Sequence, residues 1–180
     1  IYNNLDFVLT SAQKKVIKEI YDDLNKSTAM NRLLQGDVGS GKTVIAVLAS
    51  AVAVDSGVQC AIMAPTEILA IQHFDSFKRF SEKSPLSCEL LIGKTPKKER
   101  AVILQKLKEN TIDIIIGTHA LIQKDVQFKS LGLVIVDEQH RFGVVQRGDL
   151  ISKGYNPHFL AMTATPIPRT LAITYHGDME

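Results

Sequence analysis

Short, nearly continuous runs of Leu, Ile and Val alternate along the chain with longer amphipathic stretches. The runs Arg32–Gln35, Cys60–Ala64, Glu89–Ile92, Ile112–Ile116, Leu133–Val136 and Phe159–Met162 read as strands covered on both faces, since a half-wet strand would alternate apolar with polar residues. The stretches between them read as helices over Ser11–Asn25, Lys42–Val54, Glu67–Phe80, Pro96–Glu109 and Phe142–Ile151. In the first, Val16, Ile17, Ile20 and Leu24 fall on one helical stripe. Thr95-Pro96 predicts a helix start with Thr as cap and Pro in the first helical position, and a helix-like segment is expected shortly before Glu180. Such alternation predicts an α/β fold, a mostly parallel sheet flanked by helices on both faces and joined by right-handed crossovers. Ligands of such sheets lie at the carboxyl ends of the strands.

Composition narrows this without redirecting it. The 180 residues, 45% apolar and 22% charged, suit one ordinary globular domain. A formal net charge of +2 excludes nucleic-acid coating through overall charge, so any such contact must come from local placement. Cys60 and Cys88 stand in or beside apolar runs, away from any metal-ligand spacing, and read as buried reduced thiols. That fits a cytoplasmic protein, and no apolar stretch has the length to span a membrane. The chain opens on Ile1 rather than Met, so it is expected to be a fragment of a longer protein.

The chemistry begins after the first apolar run. Gly36-Asp37-Val38-Gly39-Ser40-Gly41-Lys42-Thr43 matches the phosphate-binding loop, with a strand before it and a helix after it. Its glycines let successive N–H groups curl inward around an anion, and the helix that follows adds its positive dipole end. Lys42 is expected to bridge the outer phosphates of ATP, and the Thr43 hydroxyl to ligate Mg²⁺.

A second acidic feature closes another apolar run, where Leu133–Val136 leads into Asp137-Glu138. Paired carboxylates at a buried strand end are costly without a cation. Asp137 is therefore the expected second Mg²⁺ residue, and Glu138 the group that orients and deprotonates water. Gln139 and His140 complete the tetrad. Thr163-Ala164-Thr165 ends a further run, so the hydroxyls of Thr163 and Thr165 are expected on the same edge, able to sense the terminal phosphate.

These stretches together resemble superfamily 2 helicases, most closely the RecG branch of ATP-dependent DNA helicases. Arg32 through Thr43 is similar to the family's first motif, and Ala64-Pro65-Thr66-Glu67-Ile68-Leu69-Ala70 to its motif Ia. Gly117 through Ile122 is similar to a later strand-contact motif, Asp137 through Gln146 to motif II, and Thr163 through Leu171 to motif III and its extension. A related translocase, which couples transcription to repair, shares the last stretch, but its second motif usually carries Glu where this chain has Gln139. The resemblance implies a single RecA-like ATP-binding domain over residues 1–180, and a parent protein that remodels stalled forks and Holliday junctions.

It also implies a path for one DNA strand along Pro65, Thr66, Glu67, Gly93, Thr118 and His119. Helix N-termini after Pro65 and Thr118 would offer N–H groups to phosphates without reading sequence. The basic cluster Lys94, Lys97, Lys98 and Arg100 adjoins Gly93, and either DNA contact or a solvated helix face accounts for it. Gln13 stands where the family reads adenine, which would favour ATP over GTP; Thr10-x-x-Gln13 is equally a capping box. The arginine finger and the opposite wall of the DNA track belong to a second RecA-like domain in cis, and no Gln-x-x-Gly-Arg-x-Gly-Arg stretch occurs here. The chain alone is thus expected to hydrolyse ATP feebly. A P-loop small-molecule kinase is the rival reading, although it would not require the Asp137–His140 tetrad.

Overall fold

Each predicted apolar run becomes a strand whose alternate residues enter different cores. The computed structural model describes residues 9–36, 41–137, 144–164 and 172–175. Among these, β1 (Asn31–Gln35), β2 (Gln59–Met63), β3 (Cys88–Leu91), β4 (Ile114–Gly117), β5 (Leu131–Asp137), β6 (His158–Thr163) and β7 (Ala172–Tyr175) form one sheet in the order β3-β4-β2-β5-β6-β1-β7. The first six strands are parallel, and β7 pairs antiparallel to β1.

Cys60, Ile62, Ile114, Ile116, Leu133, Ile135, Leu160 and Met162 point to one core; Ala61, Met63, Ile115, Val134, Val136, Phe159 and Ala161 point to the other. This is the period-two alternation of a pleated strand, with both faces dry. Helices α1 (Ser11–Leu24), α2 (Lys42–Asp55) and α3 (Glu67–Ser81) cover the first face. α4 (Lys97–Lys108), a 3₁₀ turn over His119–Ile122 and α5 (Val144–Ile151) belong to the second. α2 is apolar nearly all round and buried from Val44 to Ala51, as the middle helix of three must be.

Local chemistry explains the ends. Thr10 and Gln13 form the full capping box of α1. Gly41 caps α2 at φ +90, a left-handed conformation that glycine tolerates best. At Gly117 an added Cβ would lie 2.1 Å from the Leu91 carbonyl oxygen, so only glycine lets the ends of β3 and β4 approach this closely. Gln59 is buried and fully used: its amide donates to the Leu107 and Ile112 carbonyls and accepts from the Ser130 N–H. Cys60 and Cys88 are free and buried, and burial pushes both thiols up to about 12, which makes them inert.

Three expectations need correction. Thr95 does not cap α4: its hydroxyl accepts from the Ile92 N–H, while Pro96 takes the cap position and its carbonyl receives the Arg100 N–H. The helix-like tail is, over Ala172–Tyr175, an edge strand, because pairing with β1 outweighs a weak local preference. The helix expected after Thr118 is one 3₁₀ turn of four residues, with too little dipole to serve as an anion site. No helix among the described residues is long and apolar enough to cross a membrane.

Candidate functional site

Sheet order decides which motifs meet. Along the carboxyl edge the strands β3, β4, β2, β5, β6 and β1 deliver, in turn, Gly93, Thr118, Pro65, Asp137, Thr163 and Gly36. Motifs far apart in sequence thus form one row with two halves: β5, β6 and β1 carry the phosphate-loop side, and β3, β4 and β2 the expected strand-contact side.

On the first side the backbone does much of the work. The Gly36 N–H donates to the Thr163 carbonyl (3.2 Å), and the Gly36 carbonyl accepts from Lys42 Nζ (2.9 Å). The end of β6 is thereby tied to the start of the phosphate loop and to its lysine. Gly41, Lys42 and Thr43 are half-buried at the start of α2, so the helix N-terminus opens on this edge. Gln13 packs over Gly41, where an added Cβ would lie 1.9 Å from Gln13 Nε2. The residue proposed to read adenine is therefore built into the same corner, and its capping role is real at the same time. Asp37, Gly39, Ser40, Glu138, Gln139, His140 and Thr165 lie outside the described residues.

Asp137 ends β5 on the face that carries α2 and α3, and it is buried. Its Oδ2 lies 2.9 Å from Nε2 of His73 on α3, and the side chains are only 10% and 12% exposed. In the tautomer with hydrogen on Nε2, His73 donates to this carboxylate oxygen. Sequence reasoning missed His73. The signal was a polar residue on the buried stripe of α3, between buried Ala70 and Phe77.

The second half of the row is looser. Thr66 caps α3, its hydroxyl accepting from the Leu69 N–H (3.2 Å). Glu67, in the first turn, faces Lys94 at 3.7 Å and lies beside Gly93. Thr118 is brought to the same edge, but its side chain is buried. The Ala64 N–H donates to the Gly117 carbonyl, which locks the ends of β2 and β4 together. His119 reaches across to Gln146 of α5 at 3.0 Å. In the basic cluster, Arg100 forms a bidentate pair with Asp125 (2.6 and 2.8 Å) and also donates to Gln123, so it is engaged within the domain.

A buried carboxylate, a half-buried hydroxyl and a lysine at a helix N-terminus can together hold phosphates and a hard divalent cation. Relatives with the same sequence pattern are numerous. The chain is 54% identical over 176 residues to the ATP-dependent DNA helicase RecG of Synechocystis sp. and 55% identical over 177 residues to that of Bacillus subtilis, each match covering 98% of this chain. It spans 21% and 26% of those relatives' lengths. A solved structure of RecG bound to a three-way DNA junction superposes with a TM-score of 0.81 at 51% identity, covering 92% of this chain and 22% of that one. The UvsW helicase of bacteriophage T4 has the same fold at 20% identity, with a TM-score of 0.63 over 86% of this chain and 51% of that one. A family model, the DEAD/DEAH box helicase, matches residues 10–173, which takes in the phosphate-loop sequence, Asp137 and the expected strand-contact edge alike; the chain belongs to the DEAD/DEAH box helicase family.

Proposed function

We propose that this chain is the ATP-binding motor domain of a RecG-like DNA helicase that remodels branched DNA such as stalled forks and Holliday junctions. The observation that carries the reading is the shared sheet edge, where Gly36, Lys42 and Thr163 are tied together beside Asp137 and the strand-contact residues occupy the adjoining strand ends. A motor needs this adjacency, because hydrolysis must be felt where the polymer is gripped.

In this reading Lys42 exchanges the Gly36 carbonyl for an anionic phosphate oxygen, the stronger acceptor. The loop sequence Gly36 to Gly41, with Asp37, Gly39 and Ser40, would offer its N–H groups to the phosphates, and Gln13, packed against Gly41, would select adenine. Thr43 and Asp137 fit Mg²⁺, which takes few protein oxygens when phosphates supply the rest. When bound, Mg²⁺ neutralises charge on the phosphates. Glu138 takes the proton of the attacking water, while Gln139, His140, Thr163 and Thr165 report the terminal phosphate to the rest of the motor. Pro65, Thr66, Glu67, Gly93, Thr118 and His119 contact one DNA strand through its backbone. A second RecA-like domain in cis supplies the arginine finger, and the protein works in the cytoplasm.

The test is ATP turnover by this chain and by the full-length protein that carries it, each with and without forked DNA. A nearly silent chain beside a DNA-stimulated full-length protein is expected, with Glu138→Gln stopping turnover while ATP stays bound. Brisk turnover by the chain alone would remove the two-domain mechanism. Phosphate transfer to a nucleoside acceptor would replace the helicase with a kinase.

A further inference from the structure

We propose that His73 is a positioning residue that holds the Asp137 carboxylate and ties it to the strand-contact helix α3. The inference rests on the nucleotide-site reading above and adds to it a link between the two halves of the sheet edge.

The argument starts from α3 itself. Its N-terminus carries Thr66 and Glu67, and Glu67 faces Gly93 and Lys94. His73 stands six residues after Glu67, about 9 Å further along the same helix. The segment is one continuous hydrogen-bonded helix and so transmits a displacement as one piece, while buried Ala70 and Phe77 on either side of His73 set its seat against the core. Any displacement of the α3 N-terminus by a bound strand therefore reaches His73 with little loss.

At the other end stands the carboxylate. His73 Nε2 and Asp137 Oδ2 lie 2.9 Å apart with both side chains almost fully covered. A buried carboxylate without a partner is costly, and the hydrogen bond also fixes its rotation. With Oδ2 held by His73, Oδ1 is the oxygen that the nucleotide-site reading assigns to the cation. Hydrogen-bonded partners of ligating groups typically change metal affinity by about 10–100-fold when removed. Sheet order supplies the reason for a bridge here: β2, which leads into α3, is the direct neighbour of β5, which ends in Asp137. The strand-contact and nucleotide halves meet at this border, and His73 crosses it.

The experiment uses the full-length protein and a fluorescent ATP analogue, titrated with Mg²⁺ in the absence and presence of forked DNA. His73→Asn keeps a polar amide but is too short to reach Asp137; His73→Gln restores a donor at the position of Nε2. We expect His73→Asn to raise the Mg²⁺ concentration for half-saturation by about 10–100-fold and to abolish any shift that DNA produces in it. Analogue binding without Mg²⁺ stays unchanged, and His73→Gln recovers most of the loss. Equal Mg²⁺ dependence in wild type, His73→Asn and His73→Gln overturns the proposal. So does equal loss in both variants, which marks a packing role only. Lys42→Ala, run in parallel, separates the two levels. If it leaves analogue binding intact, the nucleotide-site reading falls and takes this inference with it. If it weakens binding while His73→Asn behaves as wild type, only the inference falls.

Discussion

The two halves of the carboxyl edge are built differently. On the nucleotide side the chemistry-bearing residues are anchored by hydrogen bonds and packing: Gly36 to Thr163 and Lys42, Asp137 to His73, Gln13 over Gly41. On the strand side Thr118 is buried, but the other groups are a helix cap, a largely exposed ion pair at 3.7 Å and a His–Gln contact near the surface. A phosphate site must hold its geometry before the ligand arrives, since misplacement costs rate steeply. A track that slides along a repeating backbone gains from contacts that are weak and readily exchanged. The contrast makes the first side sensitive to single substitutions and the second tolerant of them.

The largest break expected is Lys42→Ala. Loss of a charge-assisted contact of about 1.5–3 kcal/mol weakens nucleotide binding about 10–100-fold. Titration with a fluorescent ATP analogue reads the change, and DNA affinity measured without nucleotide stays as it was. Unchanged nucleotide affinity would show that the loop does not hold phosphates.

Gly41→Ala comes next. It places a side chain at φ +90 and a Cβ 1.9 Å from Gln13 Nε2. We expect a loss of about 1–3 kcal/mol in urea unfolding, part of it recovered in a Gln13→Ala background where the collision is gone. Full additivity of the two substitutions would mean that Gln13 does not pack over the loop.

The smallest effect belongs to the strand side. Lys94→Ala removes one partner of an exposed pair, Lys94 itself being 85% exposed, and changes stability by less than about 1 kcal/mol. A modest fall in the full-length protein's DNA affinity, with part of its salt dependence lost, would assign the basic cluster to DNA contact; unchanged affinity would assign it to a solvated helix face. A destabilisation as large as that of Gly41→Ala would erase the distinction between a rigid half and a tolerant one.

Much of this was legible beforehand, for identifiable reasons. Six of the seven strands follow from Leu, Ile and Val runs because a buried parallel strand leaves no room for polar residues. The α1 capping box and the α2 start follow from local rules, since Thr10, Gln13 and Gly41 act within a few residues of themselves. β7 was misread because a four-residue edge strand owes its state to β1, a partner more than 130 residues earlier. Thr95 was misplaced because its hydroxyl had two local backbone partners to choose between and took the Ile92 N–H.

Residue identities alone therefore specify the phosphate loop, the acidic strand end and the alternation of elements, all of which are short-range chemistry along the chain. Proximity across the chain is another matter. That Asp137 rests against His73, 64 residues away, that Arg100 is spent on Asp125, and that the phosphate-loop and proposed strand-contact residues share one edge are consequences of strand order and helix packing. Pairings of this kind are set by which surfaces bury one another in three dimensions, and periodicity along one dimension carries no record of them.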